Sequence, residues 1–315
     1  MANITIEALA TSLKRAPITY AKDIAQKMRQ DNEWEKYAKP RKTLHTYTAP
    51  IATVTDVLQA YQCDWTPKGG VNFDSVDNTL HRIKFDYEIT CEDMEVLYET
   101  WLAEWYEMYK DSKDWAFTKY IFTEVILPKL VEEQNNNYYN GVAAVITPGT
   151  ATTSIGSMTG LKKKIADYIT AGKLVPIVTG AITSANIVDK VEAMQDALPP
   201  IYQKAGGNFY MSQTMANWYW RDYRGSFGTG NGILGNPNDG LKIDNSNKNI
   251  IGMASMEGSQ RIIYSPNLIW GSRTGEPYLP QVIIDTEIRK VKLSMVYSRF
   301  IGFEYFFNTF VNDQA

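Results

Sequence analysis

Three glycines, Gly230, Gly232 and Gly235, stand at the spacing with which a glycine-rich turn admits a dinucleotide pyrophosphate. That chemistry needs a strand before the turn and a helix after it, so that unbonded N–H groups at the helix start face the phosphates. A helical pattern precedes these glycines and Asn236-Pro237-Asn238-Asp239-Gly240 follows them, so the spacing lacks its setting. The two histidines, His45 and His81, have no second histidine or cysteine at metal-ligand spacing. Two cysteines, Cys63 and Cys91, are too few for a disulfide framework or a four-cysteine zinc site, and read as small packing residues. Glu92, Asp93 and Glu95 cluster as acid/base chemistry would require, yet at a helix start the macrodipole accounts for them. Lys162, Lys163 and Lys164 form a basic run that Leu161 and Ile165 place on the wet side of a helix. Trp101 and Trp105 have the size to stack a sugar ring, but their spacing puts them in a buried stripe. No G-x-x-x-x-G-K-[ST], H-E-x-x-H or G-x-S-x-G motif occurs. The expectation is therefore no catalytic residue, no metal site and no cofactor.

The elements around these residues follow from periodicity. Ile83, Phe85, Tyr87 and Ile89 alternate with Arg82, Lys84, Asp86 and Glu88, a strand with one wet face. Pro67, Gly69 and Gly70 supply turn chemistry after Trp65, so Val71 to Phe73 opens one arm of an extended hairpin. Thr90 stands three residues before Asp93, which predicts a capped helix whose apolar stripe is Met94, Leu97, Trp101, Trp105 and Met108. A second helix is expected from Trp115 to Tyr139, bent at Pro128 and stopped by an asparagine run and Gly141. Thr, Ser and Gly crowd residues 147–160, a crossing between subdomains.

Beyond it a helix carries Leu161, Ile165, Tyr168 and Ile169, and Leu174 to Val178 has strand character. Another helix carries Ile187, Val191, Met194 and Leu198 and stops at Pro199 and Pro200. Asn208 to Met211 predicts a short strand, and Ser212 caps an aromatic helix from Gln213 to Tyr223 that Gly225 ends. Residues 225–240 are a long glycine-rich loop, and Val291, Leu293, Met295 and Tyr297 mark a late strand continued by Phe303, Tyr305 and Phe307.

The chain has 315 residues, 44% of them hydrophobic, enough for one large domain or two small ones. Thirty-two Lys and Arg against 35 Asp and Glu leave a net charge of -3, which argues against a surface built to grip phosphates. No stretch reaches the roughly twenty apolar residues of a membrane span, and Met1 to Ala10 lacks the pattern of a signal peptide, so a soluble chain made in the cytosol is expected. Twenty Tyr and eight Trp point to large contact surfaces, because these residues suit interface cores.

The order of elements resembles the major capsid proteins of tailed bacteriophages, whose fold is shared with encapsulin shells and the herpesvirus capsid floor. The resemblance rests on Leu130-Val131-Glu132-Glu133-Gln134 running into Tyr139-Asn140-Gly141, on Phe209-Tyr210-Met211-Ser212, on Ile250-Ile251-Gly252-Met253, on Tyr264-Ser265-Pro266-Asn267-Leu268-Ile269-Trp270-Gly271 and on Phe300-Ile301-Gly302-Phe303. It implies an α+β shell fold: an N-terminal arm at 1–40, an extended loop at 41–90, a peripheral domain with a long spine helix at 91–151, an axial α/β domain at 152–280, and return strands of the peripheral domain at 281–315. It implies a structural protein, not an enzyme, assembling with itself into pentamers and hexamers of an icosahedral head around double-stranded DNA. The partners it implies are a separate scaffolding protein, a portal, decoration proteins and DNA contacted without sequence preference, with no membrane. Assembly would take place in the host bacterial cytoplasm and the product would be the virion. The alternatives weighed are an encapsulin-type compartment and, from another class, a hydrolase or carbohydrate-binding module.

Overall fold

A computed structural model of the chain describes residues 32–54, 57–101, 120–228, 241–243, 246–276, 282–287 and 290–314. In chain order they form α1 (Glu33–Tyr37), β1 (Lys39–Thr43), β2 (Thr46–Val54), β3 (Val71–Thr79), β4 (His81–Thr90), α2 (Cys91–Trp101), a π-helical turn (Ile121–Ile126) leading into α3 (Leu127–Asn140), α4 (Leu161–Thr170), α5 (Ile187–Asp196), α6 (Pro200–Lys204), β5 (Gly207–Ser212), α7 (Gln213–Phe227), β6 (Leu241–Lys242), β7 (Lys248–Met253), β8 (Ile263–Tyr264), β9 (Leu268–Arg273), β10 (Val282–Glu287), β11 (Lys290–Phe303) and β12 (Phe310–Val311). The fold is mixed α and β, with three sheets among the described residues. Contacts divide the chain into two units, one of Met1–Lys42, Leu80–Lys163 and Trp270–Phe300, the other of Thr43–Thr79, Lys164–Ile269 and Ile301–Ala315.

The first unit is built on a sheet with the order β1-β9-β11-β10, in which β4 also pairs with β11. The pairing of β4 is antiparallel from His81↔Arg299 to Thr90↔Lys290. The alternation read from the sequence holds at Ile83 and Ile89, which are buried, while Arg82, Lys84, Asp86 and Glu88 are exposed. Tyr87 departs from it and is exposed. Thr90 then caps α2 reciprocally: its backbone N–H and hydroxyl donate to Asp93 Oδ2 at 3.1 and 2.7 Å, and Asp93 N–H donates to Thr90 Oγ1 at 3.3 Å.

Pro128 sits in the first turn of α3, directly after the π-helical turn, instead of bending a continuous α-helix. A proline is tolerated there because its missing N–H falls where the regular bonding pattern is already interrupted. Leu127, Leu130, Val131, Tyr138 and Tyr139 bury one face of α3. Gly141 ends the helix, where a Cβ would stand 2.5 Å from both Asn137 O and Met158 O. Glu35 in α1 accepts at Oε1 from the Tyr138 hydroxyl (2.7 Å) and from Gln134 Nε2 (3.2 Å), tying α1 to α3 with charge-assisted bonds.

The second unit centres on a sheet with the order β12-β8-β5-β7-β6. Strands β5 and β7 are parallel, from Gly207↔Lys248 to Ser212↔Met253, which requires the chain to cross over between them. Helix α7 lies in that crossover, started by Ser212, whose side chain accepts from Met215 N–H at 3.2 Å. It runs through Gly225 to Phe227 and ends at Gly228, whose φ of 74° is one that residues with a side chain rarely adopt; Gly225 tolerates the helical conformation and does not stop it. The core joins Ile187, Val191, Met194 and Leu198 of the α5 region to Phe209, Met215, Tyr219, Ile250 and Tyr264. Burying each such side chain contributes roughly 1.5–3 kcal/mol.

Leu174 to Val178 is not a strand: Ile177 makes one isolated bridge to Asn312, and Val175 and Val178 are exposed. Pro176 has no N–H to give to a ladder, which is why the apolar run fails to extend its pairing. Strand β11 ends at Phe303, and Tyr305 and Phe307 lie beyond it in irregular chain.

Candidate functional site

Strands β2 and β3 form a two-stranded antiparallel ribbon from Thr46↔Thr79 to Val54↔Val71. Among the described residues no third strand joins it. Its root, within the second unit, buries Ala49, Ile51 and Val76 against Tyr47, Tyr168, Tyr305 and Phe306. Polar bonds reinforce the root: Tyr47 Oη donates to Glu304 Oε1 at 3.1 Å, and Lys173 Nζ meets both Asp74 oxygens at 3.2 Å. The bonds from Ser75 N–H and from Lys173 hold the Asp74 carboxyl below the usual range.

The far half of the ribbon has no such support. Residues 71–73 are exposed on both faces of β3, as is every residue from 57 to 70. Leu58, Tyr61 and Trp65 are 87, 92 and 91% exposed, and Phe73 is 75% exposed. Short-range bonds shape the turn between the strands, from Gln59 Nε2 to Thr66 O at 2.7 Å and from Lys68 Nζ to Leu58 O at 3.0 Å. Gly69, with φ of 89°, supplies the left-handed step that returns the chain to β3. Two ribbon edges that no third strand covers among the described residues and a tip of large apolar side chains together make a surface that a lone subunit leaves in water.

The residues singled out for chemistry are scattered. His45 is exposed and His81 half-buried, in different units. Asp93 is committed to the α2 cap, and its bonds from Thr90 lower its carboxyl from the ordinary value, which is the structural role the macrodipole argument assigned to it. Trp101 is half-buried; Trp105 and Gly230, Gly232 and Gly235 lie outside the described residues. Cys63 is exposed and free. No group of three or more metal-capable side chains occurs among the described residues. No helix among them is long and apolar enough to cross a membrane.

The basic run needs correction. Lys162 and Lys163 are exposed, but Lys164 is buried, because Leu161, Lys164, Ile165 and Tyr168 fall at i, i+3, i+4 and i+7 on one face of α4. Its amine donates to Asn78 Oδ1 at 2.8 Å and to Ile301 O at 2.6 Å. Burial pushes its pKa down to about 7. Arg299 in the first unit is likewise buried, with its guanidinium 5.2 Å from the Tyr297 ring and 5.8 Å from the Trp270 ring. Burial beside it pushes the Tyr297 hydroxyl up to about 12. Lys164 is thus buried where the basic run implied a wet face, and the i, i+3, i+4, i+7 stripe is the signal that marks it; Arg299 has no comparable local signal. The ribbon tip groups large apolar side chains in water: Leu58, Tyr61, Trp65 and Phe73.

No family model and no curated protein sequence matches the chain. Solved structures do. One chain of the satellite phage P4 procapsid, a structure that includes the size determination (Sid) protein, superposes over 93% of this chain and 98% of its own with a TM-score of 0.54 at 10% identity. A chain from the capsid of the native GTA particle, computed with C5 symmetry, matches over 90% of this chain and 89% of its own, with a TM-score of 0.54 at 13% identity. A structure from Gordonia phage Cozz matches over 89% and 85%, with a TM-score of 0.52 at 10% identity. The chain has the fold of phage capsid subunits, as its order of elements implied.

Proposed function

We propose that this chain is the major capsid protein of a tailed bacteriophage, assembling into pentamers and hexamers of an icosahedral head that encloses double-stranded DNA. The observation that carries the reading is the near-complete coverage of a procapsid chain, 98% of its length, at a TM-score of 0.54. A fold match alone leaves function open. The ribbon tip adds a physical reason for self-association, since Leu58, Tyr61, Trp65 and Phe73 leave apolar area in water that a contact with a neighbour would bury. Copies of one chain supply such a cover at no additional sequence requirement, and a head-to-tail contact whose rotation closes makes rings.

In this reading residues 1–40 are an arm, 41–90 the extended loop, 91–151 and 281–315 the peripheral domain and 152–280 the axial domain. A scaffolding protein, a portal and decoration proteins are the expected partners, the head of a virion assembled in bacterial cytoplasm is the expected location, and no catalysis is expected. With a net charge of -3 the chain has no general attraction for DNA, so the genome is contained more than gripped.

The contents of particles recovered from infected cells test the genome-holding role. Nuclease-resistant double-stranded DNA together with a portal is the expected result. A copurifying enzyme and no DNA would point to a cellular compartment shell instead.

A further inference from the structure

We propose that Lys164 is a proton-operated latch at the root of the β2–β3 ribbon, pinning Asn78 of β3 to the end of β11 when neutral and loosening that junction when charged. The inference does not depend on the shell reading, because every group in it belongs to the second unit of one chain. Helix α4 delivers the Lys164 amine to two acceptors, Asn78 Oδ1 and Ile301 O, at 2.8 and 2.6 Å. Asn78 is fully buried, and its Nδ2 donates to Phe303 O at 3.0 Å, so the lysine and the asparagine together hold β11 on both sides of Gly302. Gly302 makes the approach possible: a Cβ there would stand 1.8 Å from Asn78 Oδ1 and 2.9 Å from Lys164 Nζ.

The donor count favours the neutral amine. An –NH₂ group has two N–H donors for the two acceptors present, whereas –NH₃⁺ has three, leaving one donor and a full charge among uncharged partners. The carboxylates nearby in the unit are engaged elsewhere. On β3, Asp77 accepts from Thr48 Oγ1 and Asp74 pairs with Lys173. After β11, Glu304 accepts from Tyr47 Oη. On α4 itself, Asp167 and Asp77 act on Tyr168, which is driven up to about 12 chiefly by burial, and Lys163 is exposed. The one cause of the Lys164 shift is burial.

The sign follows. With a pKa near 7 in the fold against 10.5 for the ordinary side chain, the unfolded chain takes up a proton that the folded chain refuses between these values. Stability of the unit therefore falls as pH drops from about 10.5 to about 7 and, as far as this group goes, is level below that.

Hydrogen exchange of the full chain, compared at about pH 6 and about pH 8.5 after correction for intrinsic rates, reads the latch directly. Backbone amides of residues 76–80 and 301–303 are expected to exchange about thirtyfold faster at the lower pH, the change accruing between about pH 8.5 and about pH 7, while α7 is unchanged. Lys164→Met is expected to abolish the difference. Asn78→Asp gives the ammonium a carboxylate and is expected to move the transition above the neutral range. Equal protection at both pH values in the parent, or an unchanged step in Lys164→Met, would overturn the proposal. Should both variants fail to fold, NMR of lysine labelled at Cε in the parent decides it: a resonance titrating near 7 is expected, and none below about 10 is the contrary result.

Discussion

Replacing Leu58, Tyr61 and Trp65 together with serine is expected to abolish assembled particles while leaving the subunit as stable as the parent. The three side chains are 87 to 92% exposed, so the folded subunit loses almost no burial when they go. Surface changes of this kind alter stability by about 0.5 kcal/mol or less. In an interface the arithmetic reverses. Each large apolar side chain covered by a neighbour contributes roughly 1.5–3 kcal/mol, so losing three weakens every contact by about 5 kcal/mol, more than a thousandfold in affinity. Repetition around a shell multiplies the loss. Sedimentation of the variant beside the parent, with urea unfolding of both, separates the two effects; unchanged particles would remove the ribbon from the assembly account, and a lowered unfolding midpoint would show that the tip supports its own subunit.

Gly271→Val is expected to have the opposite profile, losing the fold itself. Gly271 lies in β9 of the first unit, where a Cβ would stand 2.0 Å from Phe300 Cε1, 2.4 Å from its Cζ and 2.9 Å from the backbone oxygen of Arg41. Phe300 is fully buried and the Arg41 carbonyl is main chain, so neither has room to retreat. Overpacking of a well-packed core typically costs about 1–3 kcal/mol, and collisions this close with a β-branched side chain reach the upper end or beyond. Against a total stability of roughly 5–15 kcal/mol, that loss puts much of the chain in the insoluble fraction. A soluble variant with the parent's unfolding midpoint would show that β9 and β11 can separate without loss.

These two sites show what could be read from residues alone. The alternation at Arg82 to Ile89 was legible because one face of β4 is wet, and Thr90 with Asp93 because a cap is local chemistry. The root of the ribbon was not, since Asn78, Lys164 and Ile301 are 86 and 137 residues apart and nothing local announces that a lysine will meet two carbonyls. Three consecutive lysines carry the charge of a solvated face, while the stripe of Leu161, Lys164, Ile165 and Tyr168 carries the third of them inward. Strand β2, with Pro50 and several threonines and alanines, has little apolar alternation of its own and takes its conformation from its register with β3. Pro176 explains the opposite error, an apolar stretch that pairs at one residue only. The exposure of Leu58, Tyr61 and Trp65 is a tertiary fact, because the same residues in a core would read identically.

Copies of this chain are expected to close on one another. Electron microscopy of the purified protein in negative stain, imaged alone and with the scaffolding protein expressed beside it, tests it most directly. Rings with five or six subunits and closed shells hundreds of ångströms across are expected, as quasi-equivalent packing of one subunit on a curved surface requires. A field of particles no larger than a single 35.7 kDa chain at high concentration, under both conditions, would contradict it.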